Sequence, residues 1–162
     1  MVSVETLMKE GKVSRIRELE VERYVNFFEN SYRDNLGHCM FSLKEFPRWS
    51  IISGYYAMHD ITKLLIAKKY RLKIELEVHA TTIKVLKELL GDRVILRLIE
   101  RGYREFISLA NDLAEAKRQR TRAQYYTGTE YMKEHFGKMS EEFLAATVNP
   151  YVQRIRKLLE AA

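Results

Sequence analysis

The sequence is short of the residues that build turns and crosslinks, with two prolines, seven glycines and one cysteine among 162 residues. So little turn material argues against a sandwich or barrel of many short strands. A lone cysteine, Cys39, excludes an internal disulfide and any cysteine-based zinc or iron–sulfur centre. No apolar run approaches the roughly 18 uninterrupted residues that a spanning helix needs. The opening segment, MVSVETLMKEGKVSR, lacks the basic-then-apolar layout of a secretory leader. The expectation is a soluble, cytoplasmic protein without a membrane segment.

What the chain does contain is 46% hydrophobic and 31% charged residues. A chain of this length buries roughly 70% of the surface that its unfolded form exposes, enough for one core without staples. A single domain over residues 1–162 is therefore expected. Basic residues outnumber acidic ones, 28 to 22, for a net charge of +6. Spread evenly, such a surplus mainly serves solubility; it acts on a partner only where it is concentrated.

Apolar periodicity is helical throughout. Val21, Val25, Phe28, Tyr32, Leu36, Cys39 and Leu43 recur every three or four residues, one stripe of a long helix. With Ser14 as N-cap and Phe46-Pro47 as stop, this predicts a helix over 15–45. A shorter helix over 3–10, closed by Gly11, either packs across it or frays. A second helix runs from Arg48 to Lys69, and the basic stretch 69–74 reads as a connection. Leu76, His79, Ile83, Leu86 and Leu90 mark a third helix ending at Gly91.

Asp92 is placed to cap a fourth helix that continues to Tyr125-Tyr126, with Gly102 a point of kinking. Thr129–Phe136 predicts a turn of helix before Gly137. Ser140-Glu141-Glu142 then opens a last helix, which Pro150 kinks or delays. No segment alternates apolar and polar residues over a strand length. The fold class is all-α, an up-and-down antiparallel bundle of four to five helices.

Catalytic chemistry of the common kinds finds little footing. Cys39 lies on the apolar stripe, where free cysteine is ordinarily buried. His38 points about 100° away from it around the helix, so the two form no dyad. His38, His59, His79 and His135 include no pair three or four apart, and Glu75–His79 is a single ordinary helical pair. No metal and no cofactor are expected.

Two places carry concentrated polar chemistry. In Ser53-Gly54-Tyr55-Tyr56-Ala57-Met58-His59-Asp60, small residues beside paired rings suit close helix packing. The same segment also brings Tyr55, Tyr56, His59 and Asp60 to one region, where buried polar groups need partners. In Lys117-Arg118-Gln119-Arg120-Thr121-Arg122-Ala123-Gln124-Tyr125-Tyr126, four cations fall within six residues at a helix end. Arg118, Arg122 and Tyr125 or Tyr126 share a face, and Arg120 shares another with Gln124. One explanation is complementarity to the helix dipole. The other is a phosphate-binding patch, guanidiniums for bidentate contacts and aromatics for stacking.

The order of these motifs resembles the HEPN superfamily of prokaryotic nucleotide-binding domains, in particular its small stand-alone archaeal and bacterial members. The resemblance covers residues 15–160 and rests on Ser53-Gly-Tyr-Tyr-Ala-Met58, Arg120-Thr-Arg-Ala-Gln-Tyr125 and Ser140-Glu-Glu142. It implies a helical bundle, commonly a homodimer, often encoded beside a minimal nucleotidyltransferase in toxin–antitoxin pairs. Catalytic members carry Arg followed four to six residues later by His. Here Tyr125 stands five residues after Arg120, and Gln124 replaces the usual acid. Arg33-x4-His38 has the right spacing but lies in the first long helix, its ends about 140° apart.

The resemblance thus implies a nucleotide- or RNA-binding module using Arg118, Arg120, Arg122, Gln124, Tyr125 and Tyr126. Ser53, Tyr55, Tyr56, His59 and Asp60 are the supporting motif. A metal-independent ribonuclease with Arg120 and Tyr125 as catalytic candidates is one alternative. A non-catalytic oligomerisation adaptor is another.

Overall fold

A computed structural model describes the backbone of residues 3–122 and 129–161, with side chains described over 3–109 and 134–161. It is an all-α bundle. The helices are α1 (Val4–Lys9), α2 (Glu18–Phe41), α3 (Pro47–Tyr70), α4 (Val78–Leu90), α5 (Arg93–Arg122), α6 (Thr129–Phe143) and α7 (Asn149–Glu160). Five long rods result, because α6 and α7 are joined without a break by a π-helical turn, Leu144–Val148.

Helix α3 is the centre of the bundle, in contact with α2, α4, α5, α6 and α7. Its sequence explains the position. From Ile51 to Ala67 nearly every residue is buried, so the helix is apolar on all sides rather than along one stripe. Pro47 occupies its first turn, where the missing N–H would have had no partner. Helix α2 lies antiparallel to it, contributing Phe28, Tyr32 and Cys39 to the core. As residue numbers rise along α2, their α3 partners fall: Ser31 meets Asp60, His38 meets Ser53 and Cys39 meets Ser50.

Several expected boundaries hold. Asp92 Oδ1 accepts from the N–H groups of Val94 and Ile95 at 2.8 and 3.1 Å, capping α5. Gly91 adopts φ +60°, the left-handed conformation that closes α4. Gly102 does not split α5, which runs unbroken through it. A Cβ there would lie 3.0 Å from Met58 Sδ, so the glycine serves close approach of α5 to α3.

Other boundaries are corrected. The first long helix starts at Glu18, not 15, and ends at Phe41, not 45. Ser14 is not its cap. It sits in β1 (Val13–Arg15), which pairs antiparallel with β2 (Leu72–Ile74) in the register Val13↔Ile74, Ser14↔Lys73, Arg15↔Leu72. The supposed connection after α3 is therefore partly strand. Three-residue strands are too short for alternation to register as a pattern, although Leu72 and Ile74 are buried and Lys73 between them is not. The ribbon and α1 cover one end of the bundle, where Leu7, Val13, Ile66, Leu72, Ile74 and Val85 form a second cluster. Helix α1 thus packs rather than frays.

Gly137 and Ser140 do not separate two helices. The α6 backbone passes through both, and the Ser140 hydroxyl turns back to donate to Gly137 O at 2.8 Å. Pro150 acts instead through the ladder ahead of it. Lacking an N–H for Ala146 O and crowding that carbonyl, it coincides with a switch to i→i−5 bonding, Asn149 N donating to Leu144 O.

Candidate functional site

The Ser53–Asp60 motif occupies two turns in the middle of α3, and its side chains divide between two faces. Toward α2, the buried Asp60 carboxylate accepts from Ser31 Oγ at 2.6 Å and from Asn35 Nδ2 at 3.0 Å. One carboxylate thereby ties two successive turns of α2 to α3. Two turns earlier on α3, Ser53 Oγ lies 2.6 Å from His38 Nδ1 and itself donates to Trp49 O at 2.8 Å. These groups border a groove of about 630 Å³ walled by Phe46, Trp49 and Tyr56.

Toward α4 and α5, the motif builds an aromatic and imidazole stack. Tyr55 is fully buried, with its hydroxyl 2.8 Å from His79 Nδ1 and its ring stacked on Phe106 at 4.8 Å. His59 and His79 face each other with centroids 4.8 Å apart, and Tyr103 stacks on His79 at 5.9 Å. Tyr56, the next residue along α3, sits at the rim between stack and groove, 6.1 Å from His79.

His59 is 2% exposed, and neither ring nitrogen has a hydrogen-bond partner. The nearest carboxylate oxygen, Asp60 Oδ1, is 3.8 Å from Nδ1, beyond hydrogen-bond reach. Burial pulls the His59 pKa down and outweighs the opposing pull of Asp60, while the Lys63 charge pushes further down and the Val78 backbone opposes weakly. His79 is lowered as well, chiefly by burial and then by His59 and Lys63. Burial raises the Tyr55 phenol, so it keeps its proton. Lys63, half-buried over the Phe28 ring at 4.9 Å, is itself lowered by burial.

Of the expected site residues, Tyr55, Tyr56 and His59 are brought together, whereas Ser53 and Asp60 face the other way. Arg118, Arg120 and Arg122 fall in the helical backbone of α5, but their side chains lie outside the described ones, and Gln124, Tyr125 and Tyr126 lie outside the described residues. Sequence reasoning missed His79, whose only signal was its place on the apolar stripe of the third helix. It missed Asn35 and His38 as partners of the motif for a related reason, since their contacts cross between helices. Arg33 and His38 do not converge: Arg33 pairs with Glu29 at 2.7 Å and lies over the Tyr32 ring, on a different groove.

Among the described residues no three histidine, cysteine or acidic side chains converge as a metal site, and no helix is long and apolar enough to cross a membrane. No protein-family model matches the chain, and neither a curated protein nor a solved structure matches it.

Proposed function

We propose that the chain is a HEPN-like helical module that binds a nucleotide or RNA through residues 117–126. It acts as a homodimer in the cytoplasm beside a minimal nucleotidyltransferase, in a toxin–antitoxin-like pair. The observation that carries the reading is the packing of α3 on α5. The Ser53–Met58 motif and the helix bearing the arginine run are direct neighbours, joined by the Tyr55–Phe106 stack and by Gly102 against Met58. The Ser53–Met58 motif and the Arg120–Arg122 part of the arginine motif thus lie on α3 and α5, one pair of packed helices in an all-α bundle.

Charge magnitude favours phosphate over a purely dipolar role for the arginines. A helix C-terminus is equivalent to about half a negative charge, whereas residues 117–122 bring four positive ones. Binding is favoured over ribonuclease action because the segment holds no histidine, and a tyrosine with a pKa of about 10 is a poor general base at neutral pH.

The test is binding of fluorescein-labelled single-stranded RNA to the wild type and to the triple variant Arg118→Gln, Arg120→Gln, Arg122→Gln. The expected result is an unchanged helical circular-dichroism spectrum with affinity lowered about tenfold or more, as befits several lost phosphate contacts. Unchanged affinity contradicts the proposal and favours the adaptor. Shortening of the RNA in the presence of chelator favours the metal-independent ribonuclease.

A further inference from the structure

Four large apolar side chains are left uncovered at one place, the corner where α2 turns into α3. Phe41 is 81% exposed, Trp49 59%, Phe46 58% and Met40 54%. Aromatic side chains carry about 150–250 Å² each, so the exposed fractions leave on the order of 500 Å² of apolar surface there. That is the upper range for the largest patch on a monomer. A standard interface hides about 800 Å² per partner, of which roughly 450–520 Å² is apolar. The corner alone supplies that much.

The corner also carries two complementary shapes. One is the groove of about 630 Å³ walled by Phe46, Trp49 and Tyr56. The other is Phe41, next in the chain to the groove residue Ser42, which stands outside these walls and projects into solvent. A knob and a hole on one surface are what a two-fold interface requires, since each contact is made twice with the roles exchanged. One turn before Phe41, on the same face of α2, is Gly37, where an added Cβ would meet nothing within 4 Å among the described residues. A glycine inside a helix weakens it, and no neighbour described within the chain uses the space that this one leaves. A second backbone does.

Charge decides between a second copy and a nucleic acid. Residues 34–49 carry Asp34 and Glu45 against Lys44 and Arg48, a balance of zero in a chain of +6. A phosphate backbone gains little from such a surface. A surface of mixed sign, by contrast, meets its own copy without an excess of like charge.

We propose that the α2–α3 corner is the self-association surface of the chain, with Phe41 of each copy seated in the groove of the other. The assignment rests on the homodimeric part of the function proposed above and gives that dimer its face; it does not depend on RNA binding.

Sedimentation velocity of the full chain over a range of concentrations reads the mass, and Trp49, the only tryptophan, reports the corner. The wild type is expected at twice the 19.2 kDa mass of the chain, with Trp49 emission moving to longer wavelength as dilution releases the monomer. Phe41→Asp removes two knobs per dimer. It is expected to raise the dissociation constant about a hundredfold or more with the helical circular-dichroism spectrum unchanged. Gly37→Lys fills open space in the monomer. At concentrations where both proteins are monomeric it is expected to raise the urea midpoint, yet to weaken the dimer about tenfold or more.

A dimer that survives both substitutions, with Trp49 emission unmoved by dilution, overturns this face while leaving the homodimer standing. A monomer at every concentration contradicts the two readings together. Quenching of Trp49 in the monomer by short single-stranded RNA assigns the corner to nucleic acid and overturns the proposal as well.

Discussion

The Tyr55 hydroxyl and His79 Nδ1 stand 2.8 Å apart across the α3–α4 interface. Because burial raises the phenol and lowers the imidazole, the proton stays on tyrosine and Nδ1 accepts it as a hydrogen bond. His79 is thereby held as its Nε2–H tautomer. The bond gives the buried Tyr55 oxygen its partner and fixes the ring against which His59, Tyr103 and Phe106 pack.

Replacing Tyr55 by Phe leaves the stack filled but deprives His79 Nδ1 of its donor. The expected cost is about 1–2 kcal/mol of unfolding free energy, read as a lower urea midpoint at unchanged slope. A midpoint equal to wild type shows that the bond is not formed in solution.

His59 gives the protein an acid sensitivity of defined sign. Its folded pKa lies below the unfolded value of 6.5, so below that pH the unfolded chain binds a proton that the folded one refuses. Stability is therefore unaffected above pH 6.5 and falls as pH drops through 6.5 toward the lower folded value. His79 contributes in the same direction. Asp60 and Lys63 on α3, with His79 on α4, are the charged and titratable groups acting on the imidazole. The slope contributed by each histidine reaches at most about 1.4 kcal/mol per pH unit. Thermal unfolding of His59→Phe across pH 5 to 7.5 is expected to lose part of this slope; an unchanged slope assigns the sensitivity elsewhere.

Gly54 and Gly102 have opposite tolerances although both are helical. A Cβ at 54 would meet Val148 Cγ2 at 2.9 Å, Cys39 Sγ at 3.1 Å and Phe143 Cε1 at 3.2 Å, three atoms held by three different elements. Gly54→Ala is expected to destabilise by about 1–3 kcal/mol. A Cβ at 102 meets chiefly the flexible thioether end of Met58, and the gain in helix propensity, about 1 kcal/mol, offsets the contact. Gly102→Ala is expected to fall within about 1 kcal/mol of wild type. Equal losses at the two sites would mean that α2, α3 and the π turn do not meet around residue 54.

Cys39 has no exposed surface, and burial pushes its thiol pKa upward. Thiol reagents are expected to label the native protein slowly and the urea-unfolded protein at once. Rapid native labelling would mean that α2 presents a different face to the core.

How far the sequence spoke depends on the length over which a physical preference repeats. Helices α2 to α5 were legible because their apolar spacing persists for many turns, and Asp92 and Gly91 marked ends through local chemistry alone. The β1–β2 ribbon was not, since pairing Val13 with Ile74 joins segments sixty-one residues apart and three residues leave no period to read. Ser140 misled because a serine before two glutamates looks like a cap, while in the fold its hydroxyl bonds within the continuing helix. Within the candidate site, Tyr55, Tyr56 and His59 stood out as a polar cluster on one helix. The partners of the motif, His79 for Tyr55, His38 for Ser53 and Asn35 for Asp60, belong to other helices, and only tertiary packing puts them within reach.

Electrostatic contact between residues 117–126 and phosphate is the central claim, and the salt dependence of RNA affinity tests it most directly. Each phosphate neutralised on a single strand contributes about −0.7 to the slope of log affinity against log salt concentration. With up to four cations engaged, the wild type is expected to show a slope of about −2 to −3, flattened in the Arg118→Gln, Arg120→Gln, Arg122→Gln variant. A wild-type slope near zero, or equal slopes for the two proteins, would contradict the claim.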